Sequence, residues 1–148
     1  MENLFQAMPQ LAAYSPSFVA CAVLVLAVII QGFLTGALAL APGHQLAGRP
    51  LKNGQEDRSF RVMRTYANST ENLPMLTLAL VLAIVASVPA VAVNWIVGLH
   101  VAARLAHWAI YYSGIGKEGE AGPRTIAYVI GLLLNLALAV AALFYLVA

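Results

Sequence analysis

Residues 18–40 read FVACAVLVLAVIIQGFLTGALAL, an apolar run interrupted only by Gln31, Thr35 and two glycines and closed by Pro42-Gly43. As a helix rising about 1.5 Å per residue, such a run is long enough to cross the roughly 30 Å hydrocarbon core of a bilayer. The proline and glycine that follow are stop signals. Lipid is therefore the solvent for which this chain is composed. Its 148 residues are 61% hydrophobic and 9% charged, whereas ordinary soluble domains carry roughly 25% charged residues.

Outward from this run, the same pattern recurs three times. Gly43 to Ser59 is polar and loop-like, with Arg49, Pro50, Lys52, Asn53, Gly54, Glu56 and Asp57. A second helix starts near Asp57, is polar for its first three turns, and becomes apolar from Leu73 to Val88. Pro89 and Asn94 mark a tight connection without charge. A third helix runs from Trp95 to Ser113, broken by His100, Arg104 and His107. Four glycines between Gly114 and Gly122 separate it from a fourth, which Pro123 opens as a first-turn residue. The expectation is an all-α membrane protein, a four-transmembrane-helix bundle in a single domain over 1–148, with helices at about 17–41, 58–88, 90–113 and 123–147. At about 20 apolar residues per crossing, the length leaves nothing for a separate soluble domain. The lead from Glu2 to Gln10 has no basic start and no small-residue cleavage site follows, so the first helix is expected to be retained. Cys21, the single cysteine, permits no intramolecular disulfide and reads as a packed apolar residue.

Basic residues set the expected orientation. Arg49, Lys52, Arg58, Arg61 and Arg64 flank the first connection, Lys117 and Arg124 flank the third, and the second has none. Both charged connections are expected on the cytoplasmic side, with both termini opposite. The net charge of +2 is too small to suggest nucleic acid as a partner.

Three polar stripes need an explanation. In FRVMRTYANSTENLP, residues 60–74, Arg61, Arg64, Asn68 and Glu71 fall within about 80° of one another at 100° per residue. Two cations, an amide and a carboxylate on one helical face are costly against lipid, so the stripe must face other helices or a wet cavity, either as a self-neutralising network or as a site. On the third helix, Arg104, His107 and Tyr111 share a face by their spacings of three and four. His100 reads as a packing residue, and no metal is expected, because His100 and His107 lie two turns apart with no cysteine or H-E-x-x-H pattern beside them. The fourth helix opens Gly-Pro-Arg-Thr-Ile-Ala-Tyr, placing Arg124 beside unpaired backbone N–H groups and the positive end of the helix dipole. An anion is favoured there, and a thiol would be shifted toward thiolate. Tyr128, one turn further on, adds a hydroxyl donor. Arg124 and Tyr128 read equally well as interfacial anchors.

From about Phe60 to Tyr128 the chain resembles the MAPEG superfamily, the membrane-associated proteins of eicosanoid and glutathione metabolism. The resemblance rests on R-x-x-R-x-x-x-N-x-x-E-x-x-P at Arg61, Arg64, Asn68, Glu71 and Pro74, on Ala103, Arg104, His107 and Tyr111, and on Pro123, Arg124, Thr125 and Tyr128. These motifs are nearest to the microsomal prostaglandin E synthase and glutathione transferase type. The resemblance implies a homotrimer with glutathione as cosubstrate, bound between subunits near the cytoplasmic helix ends. It implies Arg61, Arg64, Asn68, Glu71, Arg104, His107, Thr125 and Tyr128 as binding residues. Arg124 would be the thiolate stabiliser, with Tyr111 beside it as the second catalytic residue. It also implies a lipophilic small-molecule substrate arriving from the membrane lipid. The expected function is a glutathione-dependent transferase or peroxidase acting on a lipophilic electrophile or lipid hydroperoxide. Family enzymes often carry an arginine near the cytoplasmic end of helix one, where this chain offers Gln31. A non-catalytic lipid-binding or scaffolding member of the same fold is therefore the alternative expectation.

Overall fold

The computed structural model describes residues 8–39, 54–115 and 122–148. Four long helices follow one another: α1, Ser15–Ala39; α2, Arg58–Val85; α3, Ala90–Ser113; and α4, Pro123–Val147. All four are long and apolar enough to cross a membrane. At about 1.5 Å per residue, even the shortest extends roughly 36 Å, which exceeds the hydrocarbon core. Leu40, Ala41 and the rest of the first connection through Asn53, and Gly116 to Ala121 of the third, lie outside the described residues.

The starts and stops follow from local chemistry. Asp57 caps α2 by accepting 2.7 Å hydrogen bonds from both the backbone N–H and the hydroxyl of Ser59. Gly114 ends α3 in the left-handed region at φ 75°, where a residue without a Cβ is at ease. Pro123 occupies the first turn of α4, as its spelling suggests.

Two boundaries differ from the sequence reading. A short helical turn, Pro9–Ala12, precedes α1, which starts at Ser15, two residues earlier than expected. α2 ends at Val85, three residues before the expected Val88. Ser87 takes φ 59°, and the N–H groups of Val88 and Ser87 return to the carbonyls of Ala83 and Ile84 at 2.9 and 3.0 Å. This is a Schellman closure built on serine where glycine is usual, so no glycine marks the stop.

Helices α1 and α4 occupy opposite corners of the bundle; each packs against both α2 and α3, and α2 and α3 meet across the diagonal. Leu76, Ala83, Val93, Val97 and Leu138 form its nearly inaccessible centre. Leu26, Phe33, Leu78, Trp95, Leu133 and Leu143 point outward, as lipid requires. The end away from the charged connections is held by polar cross-links. The Tyr14 hydroxyl donates to the Val88 carbonyl at 2.6 Å. Asn94 accepts from the Ser17 hydroxyl at 2.6 Å and from its N–H at 3.2 Å, and donates to the Ala13 carbonyl at 2.9 Å. Asn94, read in the sequence as punctuation, is a fastener between α1 and α3.

Candidate functional site

At the other, polar end a cleft of about 300 Å³ opens between α2, α3 and α4. α2 contributes Arg64, Asn68 and Glu71, and α3 contributes His107 and Tyr111. Arg124, Thr125 and Tyr128 come from α4. The sequence reading had placed each of these on a polar stripe of its own helix; the bundle turns the three stripes toward one another.

The electrostatics are positive at the α4 side. Among the described residues no side chain caps the start of α4, so the positive end of its dipole lies beside the Arg124 guanidinium. That guanidinium lies over the Tyr111 ring, 4.7 Å from its centroid, a cation–π contact that fixes its position. Its Nη1 donates to the Gln55 side-chain oxygen. The His107 ring packs between the two tyrosines, with centroids 5.5 Å from Tyr111 and 6.1 Å from Tyr128. Its Nδ1 is buried without a hydrogen-bond partner among the described residues. Arg64 and Glu71 are exposed, whereas Asn68 is half-buried. The site therefore has a deep cationic and aromatic floor and an open rim carrying one charge of each sign.

The model of the MAPEG family matches residues 17–144, covering nearly all of the four helices. The chain belongs to the MAPEG family. No curated protein and no solved structure matches it. It is thus a multi-pass membrane protein of the family associated with eicosanoid and glutathione metabolism.

Two expected binding residues of this MAPEG protein do not line the cleft. Arg61 is buried, and its Nη1 donates to the carbonyls of Gln55 and Glu56, each at 2.9 Å. It shares a helical face with Arg64 but sits one turn nearer the start of α2, where the chain folds back and offers it carbonyl oxygens first. Arg104 is only 4% exposed and stands behind the cleft. Its Nη2 donates to Asn68 Oδ1, its guanidinium lies 5.8 Å from the Tyr128 ring centroid, and its stem packs at Gly131. A Cβ on Gly131 would come within 3.2 Å of Arg104 Cδ, so the absence of a side chain there makes room for the arginine. His100, fully buried, donates from Nδ1 to the Gly131 carbonyl at 2.9 Å, as a packing histidine does.

The sequence reading missed Gln55. Its backbone carbonyl receives Arg61 and its side chain receives Arg124, so it joins the approach to α2 to the start of α4. Nothing in the loop spelling Gly-Gln-Glu-Asp singles it out. Toward the middle of the membrane, the α2–α4 seam continues as an apolar groove of about 380 Å³, lined among others by Met75, Leu78, Leu82, Leu132 and Leu136. It begins one helical turn beyond Glu71 and Tyr128. Among the described residues, no cluster of histidine, cysteine or carboxylate side chains could hold a metal ion.

Proposed function

We propose that this MAPEG protein is a glutathione-dependent membrane transferase or peroxidase that acts on a lipophilic electrophile or a lipid hydroperoxide. The observation that carries this reading is the convergence of polar residues from three helices on one cleft, directly above an apolar groove in the same seam. The donor set suits the tripeptide: Glu71 complements its ammonium, Arg64 its carboxylate and Asn68 its amides. Glutathione supplies the thiol. Arg124, aided by the dipole of α4, favours the ionised sulfur, while Tyr111 holds the guanidinium in place and Tyr128 offers a hydroxyl donor. Thr125 and His107 complete the wall. Arg104 acts as a positioning residue through Asn68.

The exposed Arg64 and Glu71 fit a site whose open side is closed by a neighbouring subunit of a homotrimer. The basic residues flanking the first and third connections support a cytoplasmic position for this site, with both termini opposite. The lipophilic substrate arrives laterally from the bilayer.

Substituting Arg124→Ala in the purified protein should abolish glutathione-dependent turnover and leave the trimer intact; turnover at the parental rate would refute the role given to Arg124. The pH profile of the parental protein should report thiol ionisation below the value of about 8.5 of an ordinary thiol.

Two observations favour a second reading, a non-catalytic lipid-binding or scaffolding protein. Arg124 already has Gln55 and the Tyr111 ring as partners, and Gln31 is buried away from the cleft. Isothermal titration separates the two readings: absence of glutathione binding at millimolar concentration would exclude the enzyme.

A further inference from the structure

The α2–α3 diagonal divides the polar end of the bundle into two clefts. The second, of about 280 Å³, lies on the α1 side and is lined by Leu34, Ala37 and Leu38 of α1, Arg58 and Val62 of α2, and Tyr112 of α3. None of these residues takes part in the chemistry proposed above.

Its walls are aliphatic, yet two polar groups stand in it. Arg58 is the first residue of α2, and no acidic residue lies in that first turn. The positive end of a helix dipole disfavours a cation there, so Arg58 serves orientation or a ligand rather than the helix itself. The Arg58 side chain is exposed at the mouth of the cleft. Tyr112 stands in the last turn of α3, one position beyond the tyrosine of the first cleft, with its ring edge-on to Trp108 at 5.5 Å. Its hydroxyl is buried and, among the described residues, makes no full hydrogen bond, with only the Trp108 indole N–H beside it, a situation that costs about 1–3 kcal/mol unless something fills it. The occupant must therefore offer an anion to Arg58, an acceptor to Tyr112, and apolar substance to Leu34, Ala37, Leu38 and Val62. It must also reach a cleft at a membrane-spanning helix end, beside the lipid-facing residues Ile30 and Phe33.

We propose that this cleft binds an anionic membrane phospholipid. Arg58 pairs with its phosphate, and the Tyr112 hydroxyl donates to a phosphate or ester oxygen. The α1 side chains cover the glycerol, and the acyl chains continue along α1 into the bilayer. Bound there, the lipid ties the end of α1 to the α2–α3 diagonal.

The full chain in phosphatidylcholine nanodiscs, with and without phosphatidylglycerol, provides the test. Native mass spectrometry should show one phosphatidylglycerol retained per subunit, together with a raised unfolding temperature. Arg58→Gln should weaken retention about tenfold, the equivalent of one charge-assisted hydrogen bond. Ala37→Phe, which fills the cleft without changing charge, should abolish retention. Lys117→Gln, which removes a cation from the third connection, should leave it unchanged. Retention that survives both Arg58→Gln and Ala37→Phe overturns the proposal, as does an equal loss in Lys117→Gln, which would indicate surface charge alone. Equal stabilisation by inorganic phosphate in pure phosphatidylcholine would point to a soluble anion and also overturn it. Unchanged circular dichroism in each variant confirms that folding is not the cause.

Discussion

Replacing Asn68 by leucine should destabilise the protein through Arg104. Arg104 is 4% exposed, and among the described residues Asn68 Oδ1 is its hydrogen-bond acceptor, with Nη1 already buried and unpartnered. Loss of a hydrogen bond to a charged group costs about 1.5–3 kcal/mol, more when the charge is left buried. The Tyr128 ring at 5.8 Å returns about 0.5–2 kcal/mol of attraction, but it contributes equally before and after the change. The expected loss is thus about 2–3 kcal/mol. Arg104→Met keeps the stem that packs at Gly131 and removes the charge, so the double variant Asn68→Leu, Arg104→Met replaces both partners by apolar groups. It should be close to the parental protein, since paired replacement can be nearly neutral. The assay is equilibrium unfolding by dodecyl sulfate titration in mixed micelles, followed by circular dichroism, without glutathione. The four proteins form a cycle with an expected coupling of about 2–3 kcal/mol; costs that add within about 0.5 kcal/mol would refute the claim that Asn68 carries Arg104.

Ser87→Gly should stabilise by about 1 kcal/mol in the same titration, because glycine adopts the left-handed conformation at φ 59° without the Cβ penalty. Asn94→Ala removes three hydrogen bonds between the start of α1 and α3 and should cost about 2 kcal/mol, allowing for the modest value of such bonds near lipid. Glu71→Gln should raise the KM for glutathione about tenfold, the effect of about 1.4 kcal/mol, and leave KM for an N-acetylated glutathione nearly unchanged; an equal rise for both would remove Glu71 from the ammonium. Gly131→Ala brings a methyl group within 3.2 Å of Arg104 Cδ and should lower stability by about 1–3 kcal/mol, with the loss relieved when Arg104 is also shortened to methionine.

The four helices were legible because apolar runs of crossing length have few alternative meanings, and the cleft was legible because residues spaced three and four apart must share a helical face. Arg64, Asn68 and Glu71 on α2, with His107 and Tyr111 on α3, meet for that reason. Helical spacing says nothing about where an arginine's long side chain ends. Arg61 went to the Gln55 and Glu56 carbonyls, and Arg104 went behind Asn68, because the nearest acceptors belong to a loop and to another helix. Ser87 was hidden by the habit of expecting glycine at a helix stop. Gln55 and the Arg58–Tyr112 cleft depend on the relative rotation of separate helices, which no single stretch of sequence encodes.

The polar halves of α2 and α3 also constrain which helices can stand in lipid alone. α1 carries no charged residue and has the composition of a helix that lipid alone can solvate. α2, carrying Arg61 and Arg64, and α3, carrying His100, Arg104 and His107, face a penalty of up to about 2.5–3.5 kcal/mol for each charge that approaches the bilayer centre unescorted. The turn between them is only four residues, 86–89, and the Arg104–Asn68 bond joins their polar faces. Within the bilayer each of these two segments therefore serves as the other's solvent, and α4 completes the wall.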